Sequence, residues 1–189
     1  MTIGIFGGRF DPVHNGHLAV AREILKQKNP DEIWFLPDNA HQWRPIEASP
    51  MDRVNMLKLA IKDEKRFKVS DTAISLGGMT ETITVMRFLK KLHPENEYFF
   101  ICGSDQLPTF PKWTHWEDLL TQVKFWVVAR HNYPFDQKYL NCEIIEDPSY
   151  TPLNDSATAI REKIKKREAI TNLVSESVEK YILEKGLYK

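Results

Sequence analysis

The chain has 189 residues, 42% of them hydrophobic, enough to close one core, and a single domain spanning residues 1–189 is expected. Lys plus Arg number 26 and Asp plus Glu number 26, so no net field draws the molecule to nucleic acid or an anionic membrane; any anion site has to be local. Two distant cysteines, Cys102 and Cys142, read as small buried apolar residues of a reducing compartment; without a signal-peptide pattern or a membrane-length apolar run, a soluble, cytoplasmic protein is expected.

Residues 2–7 are apolar and β-branched before a Gly pair, which predicts a buried strand, and Leu18, Ala21, Ile24 and Leu25 at helical spacing predict a helix over 17–27. Residues 32–36 form a second strand ended by Pro37, and the aperiodic stretch 38–47 reads as a functional loop. Ser49, Pro50 and Asp52 are a helix start, leading into Met56, Leu57, Ala60 and Ile61. A short strand at 67–69, a break at Gly77 and Gly78, and a helix over 80–92 follow. The apolar run 98–102 precedes Gly103, after which a Trp-rich helix at 113–120, a strand at 125–129 and a weaker strand at 143–146 continue the alternation. Helices at 155–165 and 175–184 close the chain, the last stopped by Gly186. Strands that read as continuous apolar runs between helices predict an α/β fold: a doubly wound parallel sheet covered on both faces, with a helical C-terminus.

The strongest local signal is Gly7-Gly8-Arg9-Phe10-Asp11-Pro12-Val13-His14-Asn15-Gly16-His17, placed where the first strand hands over to its helix. Glycines let backbone N–H groups approach a phosphate, and the helix N-terminus aims its free N–H groups and positive dipole end at the same point. The pattern is neither the P-loop nor the dinucleotide fingerprint. His14 and His17, three apart, fall on one side of the helix start and can donate to one phosphate; a bare pair of this spacing is more often made of cap or surface residues. No Cys or His cluster supplies the further ligands of a zinc site, and no metal-ligating residues are assigned.

This GGxFDPxHxGH stretch resembles that of the HxGH nucleotidylyltransferase superfamily, which includes the nicotinate-nucleotide and phosphopantetheine adenylyltransferases. The resemblance implies a Rossmann-like fold and nucleotidyl transfer with loss of pyrophosphate. By it His14 and His17 contact the ATP phosphates and stabilise transition-state charge, and Gly7, Gly8, Phe10 and Gly16 belong to the ATP site. The segment Ser156-Ala157-Thr158-Ala159-Ile160-Arg161 resembles the ISSTxIR motif, carrying over Ser156, Thr158 and Arg161 as phosphate contacts. Gly103-Ser104-Asp105 is similar to GxD, which gives Asp105 the ribose hydroxyls, and Arg130 follows the strand that ends beside the adenosine. Pro111-Lys112-Trp113 matches the PKW element of the nicotinate-nucleotide enzymes, in which the Trp stacks on the pyridine ring. The ending Gly186-Leu187-Tyr188 also resembles theirs.

Two segments depart from that pattern. His41-Gln42-Trp43-Arg44 replaces PPHK, keeping Arg44 as the cation, and Gly78-Met79-Thr80-Glu81-Thr82-Ile83-Thr84 replaces SYTxDT, leaving Thr82 and Thr84, or Glu81 and Thr82, for the mononucleotide. Glu81 would repel a nicotinate carboxylate and could accept from a nicotinamide N–H₂. The expected reaction transfers the adenylyl group of ATP to nicotinate or nicotinamide mononucleotide. Its catalytic residues are His14, His17, Arg44 and Arg161, its mononucleotide site is Arg44, Thr82, Thr84, Lys112 and Trp113, and Mg²⁺ accompanies ATP. The rivals are a phosphopantetheine adenylyltransferase and a nucleotide-binding regulatory protein without turnover. Nucleic acid and membrane are not expected partners; a homo-oligomer is compatible with the sequence.

Overall fold

The structure, a computed structural model, describes residues 1–40, 45–79, 81–129, 142–145 and 156–189. Six strands form one parallel sheet: β1 (Thr2–Gly8), β2 (Glu32–Pro37), β3 (Phe67–Val69), β4 (Glu97–Gly103), β5 (Lys124–Val128) and β6 (Cys142–Ile145), in the order β3-β2-β1-β4-β5-β6. This is the doubly wound arrangement expected, with the order reversing between β1 and β4.

Both sheet faces are covered, because alternate residues of each strand need burial on opposite sides. On one face Phe6, Phe99, Ile101 and Trp126 pack with helices α1 (Asn15–Lys28), α2 (Pro50–Ile61), α6 (Ala157–Lys165) and α7 (Glu176–Lys185). On the other, Ile3, Ile5, Phe100 and Phe125 pack with α3 (Thr72–Leu76), α4 (Thr82–Leu92), a 3-10 helix (Ser104–Lys112) and α5 (Trp116–Gln122). Cys102 and Cys142 are buried and free, as expected.

Some local expectations shift. The helix expected at 113–120 starts late: α5 begins only at Trp116, and the preceding Ser104–Lys112 form a 3-10 helix that carries Pro108 and Pro111. Each proline lacks an N–H and so breaks an i→i−4 ladder. Trp116, the first residue of α5, is half-buried. The helix α4 begins at Thr82 instead of residue 80, after Gly77 and Gly78 at φ 73° and 63°. Five-residue α3 is too short to carry a readable period. Ser49 and Ser156 cap α2 and α6 by accepting from the N–H groups of Asp52 and Ala159, both at 3.1 Å. Among the described residues no helix is long and apolar enough to cross a membrane.

Candidate active site

The pairing of β1 with β2 runs to Gly8 opposite Pro37, whereas that of β1 with β4 stops at Phe6 opposite Ile101. Past Phe6 the two central strands therefore part, and Gly7 and Gly8 border the crevice where open α/β sheets bind ligands. Gly7 is required by close approach: a Cβ there would lie 2.6 Å from Cζ of Phe100.

From Gly8 the chain turns through Phe10, at φ 48°, to His14, an extended N-cap residue of α1. His14 donates its backbone N–H to Nδ1 of His17 at 3.2 Å, and the imidazoles lie with centroids 3.7 Å apart and planes tilted by 38°. Phe6 and Phe10 flank His17 at 6.0 and 5.0 Å. An imidazole nitrogen that accepts carries no proton, so a neutral His17 holds its proton on Nε2 as a donor. Neither α1 nor α6 has an acidic residue in its first turn to compete with an anion at the positive end of the helix.

The turn is fastened from beneath by Arg161 and by residues the sequence reading gave no site role, Asp11, Tyr188 and Arg53. Asp11, 1% exposed, accepts the N–H of Glu47 at Oδ2 (2.7 Å), and at Oδ1 the N–H of Ala48 (3.0 Å) and the hydroxyl of Tyr188 (2.8 Å). Burial first, then the Asp11 carboxylate, push the Tyr188 phenol far above its usual range, which keeps it a donor. Arg161, 8% exposed, donates from Nη1 to the Asp11 carbonyl and from Nε to Oε1 of Glu47, both at 2.8 Å. Arg53 of α2 donates from Nη1 to the Arg9 carbonyl at 2.8 Å. Asp38, whose N–H bonds the Gly8 carbonyl at 3.0 Å, has a carboxyl pushed up to about 6 by burial, against the opposing pull of Arg53 and Arg9.

The structure thus brings together Gly7, Gly8, Phe10, His14, Gly16 and His17, and ties Arg161 of α6 to the same turn. Ser156 caps α6 and Thr158 lies in its first turn. Phe10 has its ring in the core at 1% exposure, so only its backbone can face a ligand. Gly103 ends β4 and Asp105 opens the 3-10 helix, accepting Nε2 of Gln106 at 3.0 Å. Thr82 and Thr84 open α4, where Thr84 donates to Glu81 at 3.4 Å; Trp113 donates to Thr109 at 3.3 Å and meets Phe110 and Phe100 at 5.0 and 6.2 Å. Thr82, Thr84, Lys112 and Trp113 share no hydrogen bond or ring contact with the histidines among the described residues. Arg44 and Arg130 lie outside the described residues. A signal for Arg53 exists: with Met56, Leu57 and Ala60 it repeats at helical spacing, a charge on the buried stripe of α2.

A cavity of about 390 Å³ between α4, α5 and the starts of β4 and β5 lies at the opposite end of the strands. Its Lys124 and Glu97 neutralise each other at 2.6 Å, and it has no part in the site. Among the described residues no group of three His, Cys, Asp or Glu could hold a metal ion.

A doubly wound sheet with a histidine-bearing glycine turn at its switch point defines a nucleotide-binding α/β protein, and the comparisons agree. The cytidylyltransferase-like family matches residues 5–163. The nicotinate-nucleotide adenylyltransferase of Bacillus subtilis (strain 168) is 37% identical over 191 residues, covering 99% of this chain and 98% of the relative. A probable nicotinate-nucleotide adenylyltransferase of Bacillus licheniformis is 35% identical, with 99% and 98% covered. A solved structure of Plasmodium falciparum nicotinic acid mononucleotide adenylyltransferase complexed with NaAD superposes with a TM-score of 0.88 at 24% identity, covering 99% of this chain and 97% of that one, a likeness of fold. The chain belongs to the cytidylyltransferase-like family and, within it, to the nicotinate-nucleotide adenylyltransferases. It is an adenylyl-transferring enzyme of NAD biosynthesis.

Proposed function

We propose that the 5′-phosphate of nicotinate mononucleotide attacks the α-phosphorus of ATP, supplied as its Mg²⁺ complex, at the glycine turn. A P–O bond forms to the incoming phosphate, the α–β bridging bond breaks, and pyrophosphate leaves with the electron pair. The phosphate monoester is already anionic at neutral pH, so the residues supply position and charge stabilisation instead of a general base. The observation that carries this reading is the His14–His17 hydrogen bond, which leaves Nε2–H of His17 as a fixed donor beside the N-terminus of α1.

His14, Ser156, Thr158 and Nη2 of Arg161 would add donors to the phosphates, Asp105 would hold ribose hydroxyls, and Trp113 would stack on the pyridine ring. Arg44 and Arg130 keep the roles their motifs imply. Phosphate oxygens and waters would hold the metal, so no protein cage is needed. The cytoplasm is the proposed compartment.

A second reading, nicotinamide mononucleotide as acceptor, draws on Glu81 at the N-cap of α4, whose carboxylate accepts from Thr84. Incubation with ATP, Mg²⁺ and each mononucleotide, followed by separation of the dinucleotides, tests both. Nicotinate adenine dinucleotide as the faster product is expected. Faster formation of NAD would transfer the assignment to the amide, and pyrophosphate release with neither acceptor would end it.

A further inference from the structure

Arg53 has no counterpart among the residues that the motifs assign, yet it is wholly buried, at 0% exposure, under the glycine turn. Its Nη1 makes one hydrogen bond, to the Arg9 carbonyl at 2.8 Å, while Nε and Nη2 are buried with no hydrogen-bond partner among the described residues. Asp11 and Asp38 balance its charge. A buried guanidinium with two unsatisfied donors is a poor stabiliser, and an apolar side chain of similar volume is often neutral or better in such a place. What an apolar side chain could not provide is the single directed bond to the turn.

That bond orients a peptide plane. The cis bond of the turn is Asp11–Pro12, so the Arg9–Phe10 peptide is trans, and in a trans peptide the C=O and N–H point opposite ways. With the Arg9 carbonyl drawn toward Arg53, the Phe10 N–H is turned away from α2. Phe10 sits in the left-handed region at φ 48°, unfavourable for a bulky residue and sustained only where the surroundings hold it. The two carbonyls that flank it are both held by buried guanidinium groups, that of Arg9 by Arg53 and that of Asp11 by Arg161.

We infer that Arg53 is a positioning residue for adenylyl transfer: by fixing the Arg9 carbonyl it presents the Phe10 N–H to the β- and γ-phosphates of ATP. The inference rests on the reading of the glycine turn as the triphosphate site, and its test keeps the two apart. Amide ¹H–¹⁵N spectra of the wild-type protein are titrated with Mg²⁺–pyrophosphate, and kinetics are measured on Arg53→Met and Arg53→Lys.

A shift of the Phe10 amide with those of Gly8 and His17 is expected. Arg53→Met should then lower kcat about 10-fold or more and raise the KM for ATP, leaving the KM for the mononucleotide within about twofold; Arg53→Lys, which keeps a donor, should recover part of kcat. If Gly8 and His17 respond while Phe10 stays still, or a folded Arg53→Met retains wild-type kcat and KM for ATP, the inference falls and the nucleotide site stands. Should Arg53→Met not fold, the titration decides: an unmoved Phe10 amide overturns it. Silence of every amide from Gly7 to His17 would remove the triphosphate site itself, and the inference with it.

Discussion

His17 accepts the backbone N–H of His14 through Nδ1 at 3.2 Å, so one hydrogen bond both closes the first turn of α1 and sets which ring nitrogen can donate outward. His17→Ala should lower turnover by ~10²-fold or more if Nε2–H meets charge that develops on the leaving pyrophosphate, as loss of an oxyanion donor does. The KM for the mononucleotide should change little. Pyrophosphate release under saturating substrates checks this, and unchanged turnover would remove His17 from the chemistry.

Tyr188→Phe deletes the hydroxyl that Asp11 accepts at 2.8 Å and leaves the ring in place. Asp11 keeps its two backbone donors, so the expected loss is that of one buried charge-assisted bond, ~1.5–3 kcal/mol in urea unfolding. A matching fall of roughly 2–4 °C in Tm per kcal/mol is expected at this chain length. Wild-type stability in the variant would mean that the phenol does not fasten the turn.

Asp38 ties stability to pH. Its folded value, about 6, lies above the ordinary 3.8 of an aspartate, so the native state binds the extra proton between them. The contribution is therefore fully present below pH ~4 and is lost as pH rises through about 6, on the order of 3 kcal/mol at 1.36 kcal/mol per unit. Asp38→Asn lacks this titration, so the variant should gain on the wild type across that window and hold the gain above it. Urea midpoints of both proteins at pH 4 and pH 7 read the difference directly; a gap that does not widen with pH would contradict the buried carboxyl.

Gly7→Ala puts a methyl group 2.6 Å from Cζ of Phe100, whose ring is set edge-on to Phe125 and Trp113 at 5.9 and 6.2 Å. The ring has little room to retreat, and overpacking of this kind costs ~1–3 kcal/mol. Any retreat pushes on Trp113, so the KM for the mononucleotide should rise together with the loss in thermal stability. A variant with unaltered melting and KM would show that the core relaxes freely there.

The central parallel strands were legible because they are buried on both faces and read as apolar runs, from residues 32–36 to the run 98–102. Of the site, the glycine turn and both histidines were legible because one strand-to-helix handover holds them within eleven residues, 7–17. No element was read over the 3-10 helix, because Pro108 and Pro111 interrupt the period that would mark it.

Composition and local pattern alone thus settled the layering of the molecule and the position of its histidine-bearing glycine turn, since both follow from hydrophobic period and glycine placement over short stretches. Only the tertiary structure decided what holds that turn in shape. Asp11 meets a phenol 177 residues away, and Arg53 meets a carbonyl 44 residues away. Such bonds depend on where the packed sheet brings distant segments, and burial, which no short window reveals, makes a charged side chain into an anchor.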